Sequence, residues 1–131
     1  MKANELQVGS WIMFGSEPHQ VGALYADNSV KVVGDRCAYY LEHAEPIPIT
    51  KELLEENGFE REKLIPAYNH YIGIDNRVTL QDDYEGLNSN NVWDAHIDSE
   101  EYCTIAHCEL TYLHELQHLL NLCKIDFEFN V

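Results

Sequence analysis

Residues 114 to 118 read His-Glu-Leu-Gln-His, the HExxH pattern of the zinc hydrolase helix. Positions i and i+4 share one face of a helix, so His114 and His118 could reach one zinc ion, with Glu115 beside the bound water as general base. In that chemistry the metal lowers the pKa of the water and Glu115 takes its proton. A catalytic zinc needs a third protein ligand, and the motif supplies only two. One common extension places Gly three residues after the second His and a further His three beyond it, and those positions hold Asn121 and Lys124. A Glu from a second downstream helix is the other common source, and the segment after His118 offers only Asp126 and Glu128, without helical periodicity. Upstream, His107 and Asp98 remain, in no recognised spacing.

Three further groups have chemical potential. Asp94, His96 and Asp98 alternate, so a strand would project them from one face about 7 Å apart, as a platform for a divalent metal. With Trp93, Ala95 and Ile97 turned to the core, the same alternation describes an ordinary half-solvated strand. Cys103 and His107 are four apart with Cys108 adjacent, a pattern open to soft-metal or thiolate chemistry, although an acidic chain tends to raise a thiol pKa and buried structural cysteines are expected. Asp82-Asp83-Tyr84-Glu85 is a carboxylate cluster without the glycine and ligand rhythm of a calcium loop, and reads as a solvated turn. No glycine-rich phosphate loop and no GxSxG elbow occur.

Composition narrows the function classes. The 131 residues carry 23 Asp and Glu against 8 Lys and Arg, a formal net charge of -15. Nucleic-acid and anionic-membrane affinity both rest on cations, so direct binding to either is not expected. An acidic surface suits solubility, a basic protein partner, or mimicry of nucleic acid. The four cysteines, Cys37, Cys103, Cys108 and Cys123, form no CxxC pair, which points to reduced thiols. With no apolar leader at Met1–Glu5 and no stretch of membrane-spanning length, a cytoplasmic protein is expected. With 45% of residues hydrophobic, the chain can bury a real core.

The elements that would position these groups follow from periodicity and turn chemistry. Trp11–Phe14, His19–Tyr25, Val30–Val33 and Cys37–Leu41 read as short strands separated by Gly15-Ser16, Asp27-Asn28 and Gly34-Asp35 turns, which suggests an SH3-like β-barrel or a curled sheet over residues 1–49, the barrel being the expectation. Pro46 and Pro48 impose an extended exit. Thr50 as N-cap and Gly58 as stop bracket a linking helix. Residues 50–131 then predict an α+β subdomain, the two halves forming one compact unit. Its strands are Tyr68–Ile74, Val78–Leu80, Val92–Asp98 and Tyr102–His107, arranged as an antiparallel sheet, with a loop over Asp82–Asn91. A C-terminal helix from about Glu109 to Leu122 carries Leu113, Leu116 and Leu120 in register, with His114 and His118 opposite them, and packs on that sheet.

Three segments, in order, resemble a group of small proteins of gut Bacteroidetes and their phages or mobile elements. Met1-Lys2-Ala3-Asn4-Glu5-Leu6-Gln7-Val8-Gly9-Ser10-Trp11 is similar to the group's K-A-N-E-L-R-I-G-N-W/Y opening. Glu45-Pro46-Ile47-Pro48-Ile49-Thr50, with Leu53-Leu54 and Asn57-Gly58-Phe59-Glu60, resembles its E-P-I-P-L-T…L-L…G-F-E passage. Tyr112-Leu113-His114-Glu115-Leu116-Gln117 is similar to its Y-V-H-Q/E-L-Q-N ending. No activity, cofactor or catalytic residue comes with the resemblance. It implies that the position of His118 is usually Asn and that of Glu115 often Gln, which a shared zinc site would not permit. The resulting expectation is a non-enzymatic accessory or protein-interaction protein, with no cofactor and a protein partner. The alternatives are a small zinc hydrolase built on His114, Glu115 and His118, and an acidic nucleic-acid mimic.

Overall fold

The computed structural model describes residues 1–62, 68–83 and 92–131. Among them the chain forms an α+β protein with two five-stranded antiparallel sheets and two α-helices. It divides into two compact units: residues 1–47 with 112–118 and 131, and residues 48–111 with 119–130.

In the first unit, β1 (Trp11–Phe14), β2 (Glu17–Leu24), β3 (Ser29–Val32) and β4 (Ala38–Tyr40) form a meander. A 3-10 turn at Leu41–His43 brings β5 (Ala44–Pro46) back beside β1. The order is β4-β3-β2-β1-β5, and among the described residues no pairing joins β4 to β5, so the sheet is open. The first half of β2 pairs with β1 and its second half with β3, with a register shift between Val21 and Ala23. The shift surrounds Gly22. Leu6, Ile12, Val21, Val30, Val32, Leu41 and Ala44 form the core, with Met1, Ala3, Phe14, Leu24 and Tyr39 around it.

The first residues are tied down by Asn28. This residue takes a left-handed backbone (φ 64) in the β2–β3 turn, a conformation asparagine tolerates better than most side chains. Its carboxamide accepts from the Ala3 N–H at 2.7 Å and donates to the Met1 carbonyl at 3.2 Å.

The second unit starts at α1 (Lys51–Glu56). The Thr50 hydroxyl caps it by accepting from the Leu53 N–H, while Leu53 and Leu54 turn inward. Gly58 (φ 84) ends the helix, with Gly58 N–H on the Glu55 carbonyl and Phe59 N–H on that of Leu54. β6 (Glu60–Arg61), β7 (Tyr68–Gly73), β8 (Val78–Asp83), β9 (Trp93–Asp98) and β10 (Thr104–Leu110) then pair in simple sequence order. The turn at Ile74–Arg77 holds three successive left-handed residues, Ile74, Asp75 and Asn76.

Along β9, Trp93, Ala95 and Ile97 are buried while Asp94, His96 and Asp98 lie on the other face. The Trp93 indole donates to the Ile49 carbonyl at 3.0 Å, and its ring meets Tyr71 edge-on. The Tyr71 hydroxyl reaches Glu55, and burial, with that hydrogen bond second, pushes its pKa up. Asn57 holds the chain's end as Asn28 holds its start. Its carboxamide accepts from the Asn130 N–H at 2.7 Å and donates to the Asn130 carbonyl at 3.0 Å.

Two expected boundaries move. The strand after β9 runs to Leu110, paired with Trp93, so α2 occupies Leu113–Leu122 and begins four residues later than periodicity alone suggests. β8 continues through Asp82 and Asp83, which were expected in a loop, because both pair with β7. The rest of the expected Asp82–Asn91 loop, residues 84–91, lies outside the described residues.

Gly73 makes the closest approach in the second unit. A Cβ there would stand 2.7 Å from the buried Phe59 ring, well inside van der Waals contact. Gly73→Ala is therefore expected to lower stability by about 1–3 kcal/mol, the usual cost of overpacking a filled core. Urea unfolding checks this: an unchanged midpoint would show that the ring has room to move.

Candidate functional site

Helix α2 shows how HELQH is used. Its first six residues belong to the first unit and its last four to the second. Glu115 reaches back so that Oε1 accepts from the Tyr112 N–H at 2.9 Å, the acidic half of a capping box. Leu113 and Leu116 are fully buried. The C-terminal end closes with Ile125 N–H on the Leu120 carbonyl and Lys124 N–H on that of Asn121. Lys124 takes the left-handed position (φ 57) that Gly58 fills after α1.

Gln117 has the longest sequence reach of any residue in the motif. Its Oε1 accepts from the Trp11 N–H at 2.9 Å, and its Nε2 donates to the Gly9 carbonyl at 2.9 Å. The Ser10 carbonyl accepts from Val21 on β2, so peptide planarity aims the Trp11 N–H to the opposite side of β1. β5 stands on that side, but its pairing with β1 ends at Pro46 opposite Ile12. Gln117 therefore supplies, with one side chain, the next step of the ladder.

The two histidines part company. His114 is 7% exposed, stacks on Tyr112 with ring centroids 6.0 Å apart, and has no hydrogen-bond partner for Nδ1. Burial, its largest influence, pushes its pKa below the ordinary 6.5, opposed by the nearby charges of Glu115 and Glu5. His118 is exposed. His114 was expected on the solvent side of the helix. It lies 100° around the helix from Leu113, close enough for the buried sector to include it. Among the described residues no group of three or more His, Cys, Asp or Glu side chains is arranged to hold a metal, so the pair lacks a third ligand.

The polar face of the second sheet gathers more than the sequence pattern suggests. His96 pairs across strands with His107, and their rings stack with centroids 3.9 Å apart. His107 Nε2 lies 3.2 Å from Asp94 Oδ1, and Asp98 accepts from the Thr104 hydroxyl at 3.2 Å. Asp94, His96 and Asp98 thus share a face, but Asp94 and Asp98 engage β10 instead of converging on a common point. Cys103 and His107 are not brought together either: the exposed Cys103 thiol reaches toward the Glu101 carbonyl, while His107 engages Asp94. Cys37 is exposed and Cys108 and Cys123 are half-buried, and none forms a disulfide. Of the carboxylate run, Asp82 lies on β8, and Tyr84 and Glu85 fall outside the described residues.

Another acid is fixed in the first unit. Asp35 accepts from the Cys37 N–H and from the Tyr39 hydroxyl, which together hold its carboxyl below the usual range. Tyr39 in turn lies against Phe14, centroids 5.0 Å apart.

Comparison with protein-family models, with curated proteins and with solved structures finds no match.

Two outcomes follow from the helix. Gln117→Leu removes the bonds to the Gly9 carbonyl and the Trp11 N–H and is expected to cost about 2 kcal/mol, whereas His118→Asn is expected to stay within about 0.5 kcal/mol of the parent protein. Chemical denaturation of the two variants checks the contrast, and equal losses would refute this division of roles. The second concerns pH. Because folding depresses the His114 pKa, the unfolded chain binds the proton first, so stability is complete above pH 6.5 and falls as pH drops below it. His114→Phe should flatten that part of the profile, and an unchanged slope would place the titrating group elsewhere.

Proposed function

We propose that the protein is a non-enzymatic interaction protein that binds a basic protein partner through its acidic surface. The observation that carries the reading is the charge imbalance: 23 acidic side chains against 8 Lys and Arg, a net charge of -15. A field of that sign speeds encounter with cationic surfaces and disfavours nucleic acid and anionic membrane. The use of HELQH supports it, since Glu115 caps a helix, Gln117 holds a strand and His114 is buried.

We read the first unit as an SH3-like barrel opened between β4 and β5. A four-strand meander whose fifth strand returns to β1 through a 3-10 turn supports this. The three-segment resemblance supports an accessory role in a phage or mobile element of gut Bacteroidetes, acting in the cytoplasm. No helix among the described residues is long and apolar enough to cross a membrane.

Affinity capture from such a host at about 50 mM and about 300 mM salt tests the reading, because screening weakens exposed charge pairs. One basic protein should be recovered at low salt and bind at least tenfold more weakly at high salt. If captured proteins show no preference for basic character and no salt response, the reading is wrong.

A further inference from the structure

We infer that the outer edge of β10 is a docking strand for an extended basic segment of the partner, which adds to the second sheet as a sixth strand. This rests on the interaction reading above and names the surface that performs it.

β10 is the terminal strand of its sheet; just beyond it the Thr111 carbonyl accepts from the Ile49 N–H, but along Thr104–Leu110 no strand among the described residues pairs with the side turned away from β9. A strand in that position presents a row of unused backbone donors and acceptors. At seven residues it is longer than the two-residue strand at the sheet's other edge, and so offers a longer template. Edge strands are commonly protected by Lys or Pro, and Thr104–Leu110 contains neither; its one irregularity is the register shift at Thr104–Ala106.

The two faces of β10 define what would fit. On the core side Ala106 and Cys108 stand opposite Ile97 and Ala95, which are fully buried, yet they are themselves only half-buried. The apolar layer is therefore incompletely covered at this edge, and the side chains that end it are small. Ile105, at the irregularity, is 51% exposed. On the polar side the β9–β10 hairpin carries Asp94, Asp98, Glu100, Glu101 and Glu109, and no Lys or Arg between residues 93 and 110. An incoming strand with apolar residues toward Ala106 and Cys108, alternating with Lys or Arg toward Glu109 and Asp94, would extend both faces. Main-chain pairing supplies affinity in such strand addition, and the alternating side chains supply specificity. A second copy of this chain fits poorly, because it would bring the same carboxylates against themselves.

The probe is a fluorescein-labelled nine-residue peptide alternating valine and lysine, with two controls. One has the same sequence N-methylated along one edge, and the other replaces lysine with glutamate. Fluorescence anisotropy gives affinity, and amide hydrogen exchange by NMR reports on β10. The valine–lysine peptide should bind, slow exchange of β10 edge amides at least tenfold, and lose tenfold or more in affinity on N-methylation or with Ile105→Lys. The glutamate peptide should not bind, and Glu42→Gln in the first unit should change affinity less than twofold. Binding without β10 protection, or binding indifferent to N-methylation, overturns the edge while leaving a salt-sensitive basic partner intact. Absence of peptide binding at low salt also overturns it. Concentration-dependent self-association that protects β10 without peptide assigns the edge to a second copy and overturns it too. Peptide addition at β10 with no basic partner recoverable from the host would instead sink the interaction reading alone.

Discussion

The Trp11 N–H has to find an acceptor beyond the point where β5 stops, and the first unit meets this need with a side chain more than a hundred residues away in sequence. A carboxamide carries N–H donors and a carbonyl acceptor at nearly the spacing of a peptide group, so it can pair with backbone as a strand does. Gln117 does this for Gly9 and Trp11, Asn28 for Met1 and Ala3, and Asn57 for both backbone groups of Asn130. Each net hydrogen bond is worth about 1 kcal/mol, while a buried backbone group left without a partner costs about 1–3 kcal/mol. The amides therefore matter chiefly for what they prevent. At Gly9–Trp11 the amide lets a segment beyond the ladder keep its hydrogen bonds, while the Asn57–Asn130 pair is exposed and ties the chain to the end of α1.

That constraint bears directly on the HELQH string. HELQH needs Glu at the third helical position to cap the first turn, Leu to fill the core and Gln to reach β1. These engagements account for Glu115, Leu116 and Gln117, of which only Glu115 is a specified letter of the zinc pattern, and His114 is buried beside them. The fifth letter, His118, is solvent-exposed and no third ligand stands near the pair among the described residues. A motif written in residue types is silent on which atoms are already engaged, and here the engagement lies at a sequence separation no local reading could span.

Much of the architecture was legible because its signals are local. Trp11–Phe14 is an apolar run between turns, Thr50 and Gly58 bracket α1 by capping chemistry, and the alternation of Trp93, Ala95 and Ile97 fixes which face of β9 is buried. What escaped depends on partners. The two-residue β6 has too few positions for a period, and Glu109 and Leu110 continue a helical pattern on paper but pair with Asp94 and Trp93 in space. The end of α2 at Leu122 was legible from the apolar register, although Lys124 and not glycine takes the left-handed position after it. The stack of His96 on His107 required the hairpin register, which the sequence did not provide. The three-segment resemblance pointed away from a zinc site at His118, yet it could not assign Gln117 its strand.

The same dependence on partners bears on the charge. An unprotected edge strand is a hazard chiefly because identical chains can pair along it. Placing Lys or Pro on the strand removes that hazard, but it also makes the strand useless for binding a basic segment. A net charge of -15, with five acids concentrated in the β9–β10 hairpin, opposes self-pairing by long-range repulsion and leaves the backbone of β10 unmodified. On the proposed reading, the same carboxylates that repel a second copy would attract a cationic strand, so the acidity and the open edge are compatible.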